Sequence, residues 1–458
     1  MLQIRKAISF NEHDVFLIPS KDSTFLLYAP TLRKLLRITT DLALRISGIG
    51  LFQETDDRDV RAVASLLKQS LKNAIKPFPM HLRKSKFFHL ALGLTKDCTL
   101  NCLYCHADAG KREDMPIEVL YSSIQYAFET AQKNSLKGIN ISFAVGGEPT
   151  TNWKLFTSCI ERIKESETQY GIPVHLSITT NGYYGSNKRQ FIAEYFHSIL
   201  LSLDGPPEIQ NLHRPSRAGN ESYSIVRDSA LFFITNVKSF AIRSTVSNHS
   251  VKKMPQIVEF FFKEFGNQYH LVFEPLVPLG RAIINTPLVS EPSQEDFVKY
   301  YIQAKELGKT HGLEIRTSAA NHKRLVTSFC GAMSIPSFTV TTKGIVTTCE
   351  RDSEGDYYWY GKFSPESKDF VLEEQRINYN KALLEMPQKC RDCFCKWHCA
   401  GDCPDVRSIN YDRCYVNRSL IQYELESILN EAKNKVTKGG GKNERSPNES
   451  SCLQRGIS

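Results

Sequence analysis

The sequence predicts an α/β fold, an open and partial (β/α)6 barrel joined to a cysteine-rich region. Three observations carry this. Six short apolar runs alternate with six helix-length stretches between residues 87 and 311, polar turn signals follow the ends of the runs, and ten of the thirteen cysteines fall into two tight spacing groups. Alternating β and α units in a row argue for a parallel sheet with helices outside. Eight such units would close a barrel, and six leave it open.

The strand-like runs are Phe87–Thr95, Ile139–Val145, Val174–Thr180, Ser198–Leu203, Phe240–Val246 and Tyr269–Val277, rich in Ile, Leu, Val and Phe. Helical stretches are expected near 117–133, 152–169, 187–197, 222–236, 253–265 and 294–310. The turns Gly146-Gly147-Glu148-Pro149, Asn181-Gly182 and Asp204-Gly205-Pro206 sit where strands end. In parallel α/β sheets the active site forms at the carboxyl ends of the strands, so substrate contacts are expected there.

Residues 1–86 read as a small α+β accessory module, with a hairpin from Asp14–Pro19 and Thr24–Tyr28 and a helix over Arg58–Lys72. The barrel is expected over 87–314. Residues 315–433 are cysteine-rich and weakly periodic up to a final helix near 416–433, and 434–458 read as a disordered tail rich in Gly and Ser. The net charge is +9, with +7 in 1–90 and +3 in 431–458, which leaves −1 in the middle. A nucleic-acid enzyme would concentrate positive charge around its active site, so no nucleic-acid partner is expected. No run of 18 apolar residues and no secretory signal occur, so a cytoplasmic chain without a membrane span is expected. A reducing compartment disfavours disulfides, so clustered cysteines read as metal ligands or catalysts.

The first group, C-T-L-N-C-L-Y-C, places Cys98, Cys102 and Cys105 in one loop after the first strand. Thiolates suit zinc or iron–sulfur clusters. A structural zinc site needs four closed ligands, for which His106 is a candidate fourth. Three thiolates on a four-iron cluster leave one iron open for a chelating cosubstrate. C-x3-C-x2-C with an aromatic before the last cysteine resembles the signature of the radical S-adenosylmethionine superfamily, whose fold is a partial (β/α)6, TIM-like barrel. The resemblance implies a [4Fe-4S] cluster on the three cysteines and S-adenosyl-L-methionine as cosubstrate. It implies that Gly146, Gly147 and Glu148 bind the methionine amino group, that Asn181 and Ser202 contact its carboxylate or ribose, and that Tyr104 packs near the adenine. The alternatives are polar turn residues without ligand contact for Asn181 and Ser202, and simple packing for Tyr104. The implied chemistry is reductive cleavage to a 5′-deoxyadenosyl radical that abstracts hydrogen from substrate, with protein supplying orientation and exclusion. An external one-electron donor of flavodoxin or ferredoxin type is implied as well.

The second group comprises Cys330, Cys349, Cys390, Cys393, Cys399, Cys403 and Cys414, with C-x2-C-x5-C-x3-C over 390–403 once Cys395 is set aside. It resembles the SPASM extension, which holds two auxiliary four-iron clusters and would bring the total to three. By that resemblance Cys390, Cys393, Cys399 and Cys414 hold an outer cluster. Cys330, Cys349 and Cys403 hold an inner one, whose fourth ligand is open iron or another side chain such as Cys395. A zinc ribbon is the competing reading of the C-x2-C pair. Cys159 reads as helix packing. Glu350 follows Cys349 where sulfatase-maturing relatives carry an Asp that takes a proton from substrate. A solvent-facing carboxylate is the alternative.

The runs C-H-A-D-A-G, S-L-D-G-P-P-E-I-Q-N-L-H-R-P and E-P-L-V-P-L-G-R-A resemble maturases of ribosomally made peptides, and more distantly the anaerobic sulfatase-maturing enzymes. The implied partner is a precursor peptide and the implied reaction an intramolecular crosslink to carbon. Oxidation of Cys or Ser to formylglycine is the alternative, and a metal-stabilised binding protein without turnover is the reading from another class. The N-terminal module would bind a leader by strand addition to its hairpin, or cap the barrel edge.

Overall fold

In the computed structural model residues 8–10, 13–20, 23–51, 53–79, 85–334 and 337–439 are described, and they fall into two units. The first draws on residues 1–82, 319–330 and 384–458, and the second on 83–318 and 331–383.

In the first unit β1 (Ile8–Phe10), β2 (His13–Pro19), β3 (Thr24–Ala29) and β4 (Lys34–Thr39) make an antiparallel meander. The expected hairpin is β2–β3, with Leu17 opposite Leu27 and Ile18 opposite Leu26. Successive strand residues point to opposite faces, yet both faces here are apolar. Val15, Leu17, Phe25 and Leu27 pack on α1 (Thr40–Ile49) and α2 (Arg58–Ser70) through Ile46, Val60 and Leu67. Phe16, Ile18, Leu26 and Tyr28 pack on Cys395, Cys399, Ile421 and Leu425. The accessory module therefore shares a core with the cysteine-rich segment 390–403 and the C-terminal helix Cys414–Gly439. That helix is longer than the expected 416–433. Residues 434–439, assigned above to a disordered tail, are helical, and the rest of the tail with Cys452 lies outside the described residues.

In the second unit the six expected strands run parallel in chain order. They are β5 (Phe87–Leu92), β6 (Gly138–Phe143), β7 (Val174–Thr180), β8 (Ser198–Ser202), β9 (Ser239–Val246) and β10 (His270–Pro275). β5 stops three residues before the expected Thr95: Gly93 N–H makes the last bond to the strand Phe338–Val340, at Val340 O, and Thr95 then bridges antiparallel to Asp114 within the following loop. The helices are α3 (Ile117–Lys133), α4 (Trp153–Tyr170), α5 (Ser186–Tyr195), α6 (Pro207–His213), α7 (Tyr223–Asn236), α8 (Met254–Phe265), α9 (Arg281–Ile284) and α10 (Gln294–His311). The α/β fold class and its large parallel sheet stand as read from the sequence.

The sheet is larger than six strands. β11 (Glu314–Arg316) joins β10, and β12 (Phe338–Val340) joins the far edge parallel to β5. β13 (Ile345–Thr347), β14 (Trp359–Ser364) and β15 (Asp369–Leu372) then continue it antiparallel. The weakly periodic region thus holds strands of three to six residues, too short for alternation to stand out.

One face of the parallel strands is apolar. Ile139, Ile141, Phe143, Leu176 and Ile178 are buried, and Phe143 meets Phe156 of α4 and Phe196 edge to face. The other face carries Asn140, Ser142, His175, Ser177, Thr179 and Arg243, all partly or largely exposed. Parallel sheets covered on both faces are apolar on both, so this alternation marks an inner face left open. Among the described residues no helix is long and apolar enough to cross a membrane.

Candidate functional site

The loop from Gly93 to Pro116 leaves β5 at its carboxyl end and carries Cys98, Cys102 and Cys105. Its backbone is pinned from three sides. Gly147 N–H donates to Thr95 O and Glu148 N–H to Asp97 O, each at 2.8 Å. Asn101 N–H and Leu103 N–H donate to Pro215 O and His213 O, and Arg217 N–H donates to Thr99 O. Arg281 N–H donates to Cys105 O at 3.0 Å, while its guanidinium holds the carbonyl of Ala109 and pairs with Asp108.

Two glycines permit this closeness. A Cβ at Gly147 would stand 2.1 Å from Asp97 O, and one at Gly280 would stand 2.5 Å from Cys105 O, where the backbone φ is +56°. The double glycine is therefore a contact requirement of the loop as well as a turn.

The three thiols sit close enough to oppose one another's ionisation. Burial and the neighbouring Cys102 push the Cys98 thiol up to about 12. Burial pushes Cys102 up to about 11, with Cys105 adding and Arg214 opposing. Such thiols ionise readily only against positive charge, which a metal group supplies. Polar groups already point at two sulfurs: Asn181 Nδ2 donates to Cys98 Sγ at 3.6 Å and Arg214 Nη1 to Cys102 Sγ at 3.8 Å. His106 follows directly and is exposed as a residue, while burial, with Arg351 and Arg243 adding, pushes its imidazole down to about 3. Among the described residues no three or more Cys, His, Asp or Glu side chains gather tightly enough to hold a single metal ion. Three soft thiols in one loop are a donor set that suits an iron–sulfur cluster with one open corner.

Glu148 is buried at 3% exposure. Its Oε1 accepts from Thr150 Oγ1 at 2.9 Å, Thr180 Oγ1 lies 3.0 Å from both oxygens, and Oε2 accepts from Asn181 N–H at 2.8 Å. Burial pushes its carboxyl up, against these hydrogen bonds. Glu148 thus ties the turn after β6 to the end of β7 and retains acceptor capacity on Oε2. Ser202 ends β8 in register with Arg243, and its hydroxyl meets no partner among the described residues. Tyr104 is engaged: its hydroxyl donates to Asp204 Oδ2, its edge meets His213, and Arg214 lies over its face at 5.2 Å.

That contact belongs to a buried network whose roles sequence reasoning did not assign. Asp204, fully buried, pairs with Arg214 at 3.1 Å and His213 at 3.0 Å, and accepts from Thr245 N–H at 2.9 Å. His213 Nε2 meets Ser247 at 2.8 Å. Arg214 and Arg281 lie inside the runs 202–215 and 274–282 quoted above. The run marked the place, and burial with the contacts shows the network.

Glu350 is exposed and accepts from Ser142 Oγ at 2.7 Å, which sets it on the inner face of the sheet at β6. Cys349 belongs to the same unit, whereas Cys330 and Cys403 belong to the other.

In the first unit Cys390, Cys393 and Cys399 lie in a run of tight turns, with Cys393 N–H donating to Cys390 O and Cys399 N–H to Cys395 O. Cys414 opens the C-terminal helix. Burial, Asp402 and the thiols of Cys414, Cys393 and Cys390 together push the Cys399 thiol up, so charge on each of the other three is felt at Cys399. Burial and then Asp412 push Cys414 up to about 12, while a hydrogen bond from the Cys395 thiol draws Cys393 down to about 6. Cys395 is 1% exposed and packs in the apolar core with Phe16, Leu26 and Tyr28. Four thiols without an imidazole or carboxylate among them again suit an iron–sulfur group.

Residues 92–239 match the family model described as the radical SAM superfamily. The chain carries a radical SAM domain. The match spans β5 to the start of β9, including the cysteine loop, the Gly-Gly-Glu-Pro turn and Asp204. The chain is 22% identical over 366 residues to the cysteine-type anaerobic sulfatase-maturating enzyme of Clostridium perfringens (strain ATCC 13124), covering 74% of this chain and 96% of that protein. It is 20% identical over 358 residues to the serine-type enzyme of Klebsiella aerogenes, covering 75% and 84%. Among solved structures it resembles anSMEcpe with bound AdoMet and Cp18Cys peptide, with TM-score 0.58, 20% identity and coverage of 76% and 99%. It also resembles Streptococcus suis SuiB bound to precursor peptide SuiA, with TM-score 0.50, 15% identity and coverage of 88% and 97%. These likenesses show the fold. The radical SAM domain and the relation to sulfatase-maturating enzymes indicate an enzyme, and a [4Fe-4S] cluster and S-adenosylmethionine are what the radical SAM superfamily implies for that domain.

Proposed function

We propose that this radical SAM enzyme is a peptide maturase that removes hydrogen from a side chain of a ribosomally made precursor peptide and closes an intramolecular crosslink. The observation that carries the reading is the open, polar inner face of the parallel sheet, with Glu350 anchored on it by Ser142. Cys98, Cys102 and Cys105 hold the cluster beside this face. When bound, the reduced cluster and S-adenosylmethionine supply a 5′-deoxyadenosyl radical that takes a hydrogen atom from substrate.

The chain's own residues orient and protect. Carbonyls of Gly146 and Gly147 and the remaining acceptor capacity of Glu148 Oε2 receive the methionine ammonium. Asn181 and Ser202 contact its carboxylate or ribose. Asp204 and Arg214 fix Tyr104 and the loop around Cys102. Glu350 uses Oε1 on Ser142 and keeps Oε2 for a substrate proton, the placement a general base needs. Cys390, Cys393, Cys399 and Cys414 hold a further cluster. Electrons arrive from a flavodoxin- or ferredoxin-type carrier in the cytoplasm, and the N-terminal module receives the precursor's leader.

Co-expression with a candidate precursor, followed by tandem mass spectrometry, tests the reading. A crosslink removes two hydrogens and joins two side chains. The matched length of the cysteine-type sulfatase-maturating enzyme supports a second reading, oxidation of one Cys or Ser to formylglycine, which leaves an aldehyde and no link. Absence of 5′-deoxyadenosine after anaerobic reconstitution, or its persistence without Cys98, Cys102 and Cys105, refutes both.

A further inference from the structure

We infer that Asn417 is a positioning residue for the outer thiol set, an amide that donates a hydrogen bond to Cys399 and raises the reduction potential of the cluster held there. The inference rests on the reading that Cys390, Cys393, Cys399 and Cys414 hold an iron–sulfur cluster. Asn417 lies in the first turn of the C-terminal helix, three residues after Cys414 and so on the same helix face, and is 1% exposed. Its backbone N–H donates to Arg413 O at 3.0 Å, and its backbone carbonyl lies 3.7 Å from the Cys395 sulfur.

The side-chain amide is fixed at both ends. Oδ1 accepts from Ala320 N–H at 2.7 Å, and Nδ2 donates to Cys399 Sγ at 3.4 Å. The two ends of an amide are told apart by their partners. Ala320 offers only a donor, so the oxygen faces it and the N–H faces sulfur. In a buried setting such a bond is stronger than in water. Cys399 carries more negative charge when a cluster is reduced than when it is oxidised. A fixed donor on its sulfur therefore favours the reduced form. Asp402 is the opposing charge beside Cys399, and its carboxylate is occupied by Arg413 at 2.6 and 3.0 Å. Asn417 is then the group whose loss is felt at the sulfur.

The test is an anaerobic potentiometric titration of the reconstituted full chain, followed by electron paramagnetic resonance. The outer cluster is identified as the signal that disappears in Cys390→Ala. Asn417→Leu removes the donor at similar volume. Asn417→Ala removes the donor without adding charge, so it decides the matter if the leucine variant does not load iron. Losing one hydrogen bond to a charged acceptor is expected to shift the oxidised-to-reduced ratio of that signal about tenfold toward oxidised at fixed potential, about 59 mV for one electron. The signal that depends on Cys98 is expected to stay in place. An unshifted outer signal with full iron overturns the inference. A wild-type chain with no Cys390-dependent iron overturns the outer-cluster reading itself, a separate outcome seen before any Asn417 variant is made.

Discussion

Replacing Asp204 by Asn tests whether the buried network braces the cysteine loop. Asp204 is fully buried and meets the Arg214 guanidinium at 3.1 Å, the His213 ring at 3.0 Å and the Thr245 N–H at 2.9 Å, besides the Tyr104 hydroxyl. Burial works against its ionisation, and Arg214 and then His213 outweigh it, so the carboxyl is held well below the usual range. The amide keeps an oxygen for Thr245 but turns a donor toward groups that are already donors, and it leaves Arg214 buried without a counter-charge. Breaking one side of a buried pair costs about 3–5 kcal/mol. For a unit of this size that lowers the melting temperature by about 5–8 °C. The assay is thermal and urea unfolding of the metal-free protein, run as a cycle with Arg214→Leu. The double variant is expected to lose at least about 1 kcal/mol less than the sum of the single losses, because removing both charges spares the stranded one. A folded carboxyl held below its unfolded value of about 3.9 adds stability above that pH and loses it on acidification. The cost of Asp204→Asn should therefore shrink below about pH 4. A single-variant cost under about 1 kcal/mol, or strict additivity with Arg214→Leu, refutes the bracing role.

Gly147→Ala should force the loop away from Asp97 O, since no L side chain fits at 2.1 Å. Overpacking of about 1–3 kcal/mol, together with loss of iron bound through Cys98, Cys102 and Cys105, is the expected result, checked by unfolding and iron analysis. Glu350→Gln should lower product formation by about 10²–10⁴-fold while S-adenosylmethionine cleavage continues, so 5′-deoxyadenosine measured per product should rise. Glu167 accepts from Val174 N–H at 2.9 Å and pairs with Lys164, and these bonds outweigh partial burial to hold its carboxyl below the usual range. Glu167→Gln should cost about 0.5–1.5 kcal/mol at neutral pH, and the difference from wild type should fade on acidification below about pH 4.

The barrel was legible because six buried strands, each near the length of an ordinary strand, announce themselves by composition and spacing. The cysteine groups were legible because thiols gathered in short loops leave a spacing signature. β12 was not, since three residues from Phe338 to Val340 carry no period, and their pairing with Leu90–Leu92 joins segments about 250 positions apart. Asp204 stood in a turn expected to face substrate and instead closes a buried ion pair, while Arg214 and Arg281 stood in longer runs without a role, because a buried arginine looks like a surface one until its partners are placed. Asn417 gave no signal at all, as an amide one helical turn past a cysteine is ordinary in sequence. The N-terminal hairpin was read correctly, but β1 and β4 were missed, and so was the second apolar face of the sheet.

That two-faced sheet sets a timetable for biosynthesis. Tyr28 finds its hydrogen-bond partner His398 some 370 residues later, and Phe16, Ile18 and Leu26 wait for Ile421 and Leu425. At ordinary ribosome speeds that interval is roughly 20–75 s, during which one side of an otherwise formed sheet faces water. The emerging chain must therefore be shielded or kept from neighbouring nascent chains until its last helix leaves the ribosome. A premature stop before residue 421 would strand a sticky surface at the opposite end of the polypeptide.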